Sequence, residues 1–524
     1  KPLPPNSVEL TLIRFSLLIS HHPSPAVNPP SSHPMDIFRS IGRRRSTMDL
    51  SDGDGGGGGG GEDRLSALPD DLLICILILV KDAAAAARTS ILASRWRRLW
   101  ALLPELRFAS IDHRRIGAAL AARREAPDLS LLFAHTKDAS PESLSAWLPV
   151  AARALSGAIY LEVVRQEAEA EERGPAVDLP CFEKATNITL KLGFLPLTLP
   201  PSGVFARLGD LQLVNIQLHG QSSGLGDLLS SQRCPSLWCL QVRNVQGLDS
   251  FNIHSVSLLR MELSGLRHLQ QLTVMAPALK TLKVRNCFTL NPDLSVAEIS
   301  APQLMTFKWR NAHDPSSIQL NEMMHLKTLG IELFILEGEE AFEHNHYRMT
   351  LLQRFERIRT LDLLIYYPPD ICAGPYLMEH MPGLPYVTFL ALGVVAYGHS
   401  FGANSFEVIS RCTGVKQLDL DFLQENELVE QTPCPSGCIC DEPPNWRTEE
   451  LALNSLEDIE IRGMRGTEHE VALVQRLFHW ATVVKKVKII FDELITEGKA
   501  KELRQLLVSF CRADTCTDIS MFVP

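Results

Sequence analysis

Residues 279–287 read LKTLKVRNC: Leu279, Leu282 and Val284 are apolar, Cys287 closes the stretch, and the positions between are polar. Two polar residues separate the first apolar pair and one separates the second. From Leu282 onward the alternation has the period of a strand with one face buried. The same frame occurs upstream at Leu208/Leu211/Leu213 and Leu237/Leu240/Val242. Downstream it returns at Leu304/Phe307/Trp309, Leu326/Leu329/Ile331, Ile358/Leu361/Leu363 and Val387/Leu390/Leu392. Three further copies stand at Val415/Leu418/Leu420, Leu456/Ile459/Ile461 and Val484/Val487/Ile489. From Leu279 onward, successive starts lie 22 to 41 residues apart. One more copy, Leu269/Leu272/Val274, starts only ten residues before Leu279, too close for two successive turns. Val256/Leu259/Met261 is therefore expected to fill the strand of that turn, with Leu269–Val274 on the return.

Such a frame at such intervals is that of leucine-rich repeats, here stretched and irregular, with the last frame position well filled only by Cys287. The expected fold class is α/β: a curved solenoid whose short strands stack into one parallel sheet. The competing reading is a set of unrelated half-buried strands in an α/β domain. If the frame holds, the residues between inward positions face the concave side. In order these are Gln241, Arg243, Lys283, Arg285, Lys308 and Arg310, then Glu332, Asp362, Asp419, Asp421, Glu460 and Arg462. Basic residues gather in the first half and acidic ones in the second. The expectation is a bipolar surface for a target protein, carried by Arg243, Lys283, Arg285, Lys308, Arg310, Asp362, Asp419 and Asp421, where charge sets specificity and encounter rate. Solvated strand faces without a shared partner are the bland alternative.

A different text precedes the array. Residues 62–104 read EDRLSALPDDLLICILILVKDAAAAARTSILASRWRRLWALLP. Pro69 suits a helix start and Asp70 and Asp71 complement its positive end. Leu72, Leu73, Ile76, Leu77 and Val80 form a helical stripe. An Ala-rich helix is expected over 83–92, and a third, capped by Ser94, carries Trp96, Leu99, Trp100 and Leu103. Three short helices bury little surface, so some of these apolar side chains await either the rest of the chain or a partner.

The run Arg64-Leu65-Ser66, Leu68-Pro69-Asp70, Ile76-Leu77, Arg88-Thr89-Ser90, Leu92 and Arg95-Trp96-Arg97-Arg98-Leu99-Trp100 resembles an F-box of the plant F-box/leucine-rich-repeat proteins. The resemblance implies docking on a Skp-type adaptor and, through it, a cullin-based ubiquitin ligase. Leu68 and Pro69 would enter the adaptor's groove, and Ile76, Leu77, Leu92, Trp96, Leu99 and Trp100 would supply the apolar contacts. Where that family has a Leu-Pro turn before its second helix, this chain has Val80-Lys81-Asp82. Farther on, Trp446, Leu451, Leu456-Glu457-Asp458-Ile459, Gly463, Gly466, His469-Glu470 and 483–490 resemble the FBD region of plant F-box proteins.

Averages over the chain exclude more than they assign. The 524 residues carry a net charge of −10, which argues against a nucleic-acid coat. Twelve cysteines are too sparse for a disulfide scaffold and suit a reducing compartment, expected to be cytoplasm and/or nucleus. The longest apolar run, 72–80, is too short to span a bilayer, so no membrane partner is expected. Residues 1–61 read as a disordered leader and Gly-rich linker, with Met48 or Met35 as the true start and 1–47 foreign to the folded protein. The glycines of 53–61 are followed by Glu62 and Asp63 rather than the Lys and Ser/Thr of a phosphate loop. The remaining boundaries are 62–104 for the F-box, 105–184 for a helical linker region with a solvated Glu167–Glu172 run, 185–445 for the repeats and 446–524 for the FBD-like continuation of the array.

Cys434, Cys438 and Cys440 lack the paired spacing of a zinc knuckle, and reduced loop cysteines are the simpler reading. His344 and His346 lack the His-Glu-x-x-His spacing of a metalloprotease helix and are assigned to a solvated connection. No cofactor or metal is expected, and no catalytic set is found. The resemblance implies a non-catalytic substrate-recognition subunit of a Skp–cullin–F-box ligase. The rivals are a repeat scaffold, or a small-molecule receptor, not engaged with the ligase.

Overall fold

A computed structural model describes residues 68–91, 95–109, 113–123, 126–137, 139–165, 175–220, 224–288, 295–311, 314–315, 317–335, 338–368, 381–423, 440, 444–510 and 518–522. The leader and linker expected over 1–61, the Glu167–Glu172 run, and Leu92, Ser94, Cys434 and Cys438 lie outside these residues. The chain divides into a helical module ending at Leu103 and a repeat unit beginning at Pro104.

In the module, Pro69 stands as the N-cap of α1 (Asp70–Leu79), whose first turn carries Asp70 and Asp71. Only Leu73 and Leu77 of α1 turn inward. Lys81 then takes a left-handed conformation, φ +55°, which reverses the chain at a cost of roughly 1 kcal/mol for a non-glycine residue. The Asp82 side chain accepts a hydrogen bond from the Ala84 N–H at 2.9 Å and so caps α2 (Ala83–Arg88). That cap closes the turn in which the Leu-Pro pair is missing. The Ala-rich helix is shorter than expected: it tightens into a single 3₁₀ turn over Thr89–Ile91. The third helix, α3 (Trp96–Leu99), likewise ends in a 3₁₀ turn, Trp100–Leu102. Leu73, Leu77, Ala83, Ala86, Trp96, Leu99 and Leu103 are buried.

In the repeat unit the strands, in chain order, are β1 (Glu105–Ala109), β2 (Leu129–Lys137), β3 (Leu155–Val164), β4 (Val177–Asp178), β5 (Asn187–Lys191), β6 (Pro196–Thr198), β7 (Asp210–His219) and β8 (Cys239–Gln246). They continue as β9 (Ser250–His254), β10 (Arg260–Ser264), β11 (Gln271–Met275), β12 (Thr281–Arg285), β13 (Val296–Ser300), β14 (Thr306–Arg310), β15 (Ser317–Leu320) and β16 (Thr328–Phe334). The last six are β17 (Thr360–Tyr366), β18 (Phe389–Val395), β19 (Gln417–Leu423), β20 (Asp458–Met464), β21 (Lys486–Phe491) and β22 (Asp518–Phe522).

One parallel ladder runs β1-β2-β3-β5-β7-β8-β10-β12-β14-β16, then β17 through β22 in order. The frame residues stack in register: Leu240 pairs with Met261, Met261 with Leu282, Leu282 with Phe307 and Phe307 with Leu329. All five are essentially inaccessible to solvent.

Returns between ladder strands take two forms, and repeat length decides which. Around the short 22- and 25-residue intervals that follow Leu279 the return is itself a strand, and β9, β11, β13 and β15 pair as a second parallel sheet. Longer intervals have room for helices: α7 (Gly338–Arg354), α8 (Gly402–Arg411) and α9 (Glu468–Trp480). The N-terminal turns carry α4 (His113–Ala121), α5 (Pro141–Ala154) and the single-turn α6 (Gly224–Leu228), and α10 (Glu497–Phe510) precedes β22. Thr467 and Glu470 form a reciprocal capping box that starts α9.

Three expectations need correction. Residues 105–184, expected as a helical linker, hold β1, β2 and β3, which extend the same ladder toward the N-terminus. Their frames, Leu103/Leu106/Phe108 and Leu129/Leu132/Ala134, are buried but less leucine-rich, and β3 pairs with β2 through a register shift near Leu129. Second, the turn between β8 and β12 is filled as expected, but by Leu258/Met261/Leu263; Val256 is 67% exposed. Val274, as expected, lies on the return, in β11. Third, His344 and His346 belong to α7, where an open connection was expected. There the Asn345 amide bonds both the N–H and the C=O of Phe334, at 3.0 and 2.8 Å, tying helix to strand.

One regularity escaped the frame. Asn215 within β7 and Asn244 within β8 align with Gly265 and Asn286, which directly follow β10 and β12, and all four take the left-handed region, with φ of 52°, 50°, 68° and 50°. Asparagine tolerates the left-handed region better than other non-glycine residues. The Asn244 amide donates to Asn215 Oδ1 at 3.0 Å, and the Cys287 N–H donates to Asn311 Oδ1 at 3.0 Å, so neighbouring turns are tied at these two places.

Candidate partner-binding surfaces

Two surfaces carry the sequence-derived candidates. On the helical module, the spacing of α1 puts Leu72, Ile76 and Leu79 at i, i+4 and i+7, one face of the helix. They are 51%, 37% and 76% exposed, with Val80 at 41% and Ile91 at 86%. Pro69 is exposed, and Leu68 and Trp100 are half-buried. Leu77, Trp96 and Leu99 lie inside, so these three shape the module and do not line its surface. Leu72, Leu79 and Ile91 are surface residues that sequence reasoning did not select. A hydrophobic run on α1 without polar interruption hides which side is core, and only the packing of α3 against it decides.

The second surface is the open face of the ladder. Gln241, Glu262, Lys283, Lys308, Gly330, Asp362, Ala391, Asp419, Glu460 and Lys488 form one row across it. Arg243, Ser264 and Arg285 pair in a second row beside it. Glu262 takes Arg243 at 2.6 Å and Lys283 at 3.7 Å. Asp362 takes Arg310 at 2.6 Å and also accepts from Lys308, two strands away. Gly330 stands between them in the row, and a Cβ there would lie 2.7 Å from Lys308 Cγ. The missing side chain leaves the path along which Lys308 crosses.

Burial would raise the Asp362 carboxyl, but Arg310 and Lys308 outweigh it and hold the group below the usual carboxylate range. Arg285 is pulled down to about 10 by burial, against the attraction of Glu332. Glu332 is 1% exposed, and burial raises its carboxyl despite Arg348, Arg285 and Arg310 around it. Among the described residues, Glu332 Oε1 and Arg285 Nε have no hydrogen-bond partner. Farther along, Arg462 bonds Glu460 at 2.8 Å and reaches Asp419 at 3.4 Å, and Lys488 bonds Glu460 at 3.0 Å. Burial raises the Asp419 carboxyl.

The expected separation into a basic and an acidic half is therefore largely closed within the sheet. Glu262 and Lys488 were not among the expected surface residues, yet they neutralise its two ends. The physical reason is reach: pairs form between neighbouring strands far apart in sequence, and register was fixed only in the fold. Arg243, Lys283, Lys308, Arg310, Asp362 and Asp419 are held in these pairs, while Arg285 and Asp421 share the face.

The third candidate cluster is reduced to Cys440, which is buried and whose Sγ lies 3.3 Å from the Ser400 amide. Among the described residues no three His, Cys, Asp or Glu side chains are placed to hold a metal ion. Among them, too, no helix is long and apolar enough to cross a membrane.

No family model matches the chain. Curated proteins do. An F-box/FBD/LRR-repeat protein of Arabidopsis thaliana is 30% identical over 478 residues, covering 87% of this chain and 95% of that protein. An FBD-associated F-box protein of the same plant is 29% identical over 256 residues, 46% of this chain and 58% of its own length. A second F-box/FBD/LRR-repeat protein is 55% identical over a short stretch of 49 residues, 9% of this chain and 12% of its own. With a helical module ahead of a ladder of framed repeats and a 30% identity spanning nearly the whole of such a relative, the chain belongs to the plant F-box/FBD/LRR-repeat family.

Proposed function

We propose that the chain is the substrate-recognition subunit of a Skp–cullin–F-box ubiquitin ligase, acting in the cytoplasm or nucleus. It is non-catalytic in this reading. The module docks the Skp-type adaptor and through it the cullin, while the repeats hold a target protein near the ligase-bound ubiquitin carrier. Catalysis is then proximity: tethering raises the effective concentration of target lysines at the carrier.

The observation that carries this reading is the exposed stripe Leu72, Ile76 and Leu79 beside Pro69 and Ile91, on a module of about 35 residues. Covering one such side chain contributes about 1.5–3 kcal/mol, so the stripe has the apolar content of an interface centre. Membership of an F-box family makes the Skp-type adaptor the fitting cover. Leu68, Pro69 and Ile76 remain the contacts the resemblance implies. Leu77, Trp96 and Leu99 support them from inside the module, and the repeat ladder is left to the target.

The test is co-purification. Full-length chain expressed with a Skp-type adaptor and a cullin is expected to bring both down, and Leu68→Ala with Pro69→Ala to lose both while keeping its melting temperature. Retention of the adaptor by the double variant would remove the proposed docking mode.

A further inference from the structure

Most cations on the open face are already matched by carboxylates, so the charge available to a partner lies elsewhere. It lies on the rim, one residue before each ladder strand. There the backbone forms a continuous chain of hydrogen bonds. The N–H of Lys280 donates to Leu259, Met305 to Lys280, Lys327 to Met305, Arg359 to Lys327, Thr388 to Arg359 and Lys416 to Thr388, at 2.8–2.9 Å throughout. The side chains of Lys280, Lys327, Arg359 and Lys416 are exposed, as is that of Arg357, which shares a turn with Arg359.

None of these five cations makes an ion pair among the described residues. By contrast Lys485, farther along the same row, is held by Glu457 at 2.8 Å, and that pair ends the run. Glu356 is the exposed carboxylate of the central turn and engages neither neighbouring arginine. At that turn Arg357, Arg359, Pro385, Tyr386 and Thr388 line an open groove of about 610 Å³, and Tyr386 is 56% exposed beside the two guanidinium groups.

We propose that this rim is the docking strip for an extended acidic segment of the target protein. Adjacent ladder strands are about 4.8 Å apart, so Lys280 to Lys416 spans roughly 24 Å, the length of about seven extended residues. Arg359 stands one strand step from Lys327 and two from Lys416, so these three cations together span about 14 Å, the reach of about four residues of an extended chain whose carboxylates they meet. The Arg357–Arg359–Tyr386 groove takes the central side chain, because guanidinium groups pair bidentately with carboxylates and an exposed tyrosine adds apolar contact. A nucleic-acid strand fits less well: Tyr386 is the one aromatic ring among the described residues lining the groove, whereas single-strand binding stacks successive bases on several such rings.

This deepens the reading of the repeats as target-binding, and it is tested without the ligase. Full-length protein is titrated into a fluorescein-labelled ten-residue peptide of alternating Glu and Ser at low salt, followed by anisotropy. A Gln/Ser peptide and a ten-nucleotide single-stranded RNA run in parallel. The Glu peptide is expected to bind, to weaken steeply between 20 and 200 mM salt (a range set by the screening length), and to outbind the Gln peptide. Arg357→Glu with Arg359→Glu is expected to weaken it at least tenfold. Lys499→Glu with Lys501→Glu, an equal charge change at exposed positions of α10, is expected to change it less than twofold. Lys327→Glu with Lys416→Glu provides a second rim variant should the first fail to fold.

No binding of the Glu peptide, equal binding of the Gln peptide, equal loss in the rim and α10 variants, or capture of RNA in place of peptide would each overturn the proposal. Adaptor co-purification, read on the same preparations, separates such a failure from a failure of the ligase reading.

Discussion

Replacing Asp362 with Asn keeps the shape of a side chain that anchors two cations while removing its charge. Its side chain is 20% exposed, and its partners Lys308 and Arg310 are 32% and 20% exposed. Removing one member of a fully buried pair costs about 3–5 kcal/mol, whereas exposed pairs contribute about 0–1 kcal/mol. A site mostly but not wholly buried falls between, so Asp362→Asn is expected to destabilise the repeat unit by about 2–3 kcal/mol. Arg285, already desolvated, adds a third positive charge to those left unmatched.

The sign with pH follows from the depressed carboxyl. Its stabilisation is complete above the ordinary carboxylate range and is lost as pH falls through the lower, folded-state value. Urea titrations of wild type and Asp362→Asn are therefore expected to differ at pH 7, with the difference beginning to shrink near about pH 4 and closing only as pH falls through the lower folded-state value. A double-mutant cycle with Lys308→Gln should recover a coupling of about 1 kcal/mol or more. A difference under about 0.5 kcal/mol at pH 7, or one unchanged at pH 3, would refute the assignment of Asp362 as the charge anchor.

Three further outcomes are expected. Gly330→Ala puts a methyl in the path of Lys308 and should lower stability by about 1 kcal/mol, with the Lys308–Asp362 coupling reduced in the same cycle. Glu332→Gln should stabilise at pH 7–8, on the order of 1 kcal/mol, because burial raises the folded carboxyl and so penalises its charge; the gain should shrink as pH falls through the raised folded-state value and vanish near about pH 4, where the unfolded carboxyl is protonated too. Asp82→Ala removes the cap of α2 and should destabilise the module by about 1 kcal/mol, visible as faster hydrogen exchange over Ala83–Arg88.

The repeats were legible because burying one strand face demands a fixed apolar spacing, and Leu279, Leu282 and Val284 state that demand openly. The N-terminal turns were less legible: Ala134 serves in a frame position, and β3 meets β2 through a register shift that breaks the count. Met261 shows a subtler limit. Its turn was identified, but Val256 and Leu258 are both apolar two residues apart, so spacing alone could not choose the register. The module was legible as three helices, not as a surface. Leu72 and Leu73 are identical in type and adjacent, yet one is 51% exposed and the other 0%. The ion pairs were beyond the sequence because Lys308 and Asp362 lie 54 positions apart and meet only across a glycine.

The most direct test of the account is the affinity of the full-length chain for a purified Skp-type adaptor, measured by calorimetry with Leu72→Asp and Ile76→Asp combined. Both positions are exposed, so the variant should melt with the wild type while its affinity falls by a hundredfold or more, on the order of 3 kcal/mol. Phe522→Asp, at an equally exposed apolar position in the last strand, should bind as the wild type does. An adaptor that binds wild type and stripe variant alike, or binds neither, would contradict the account.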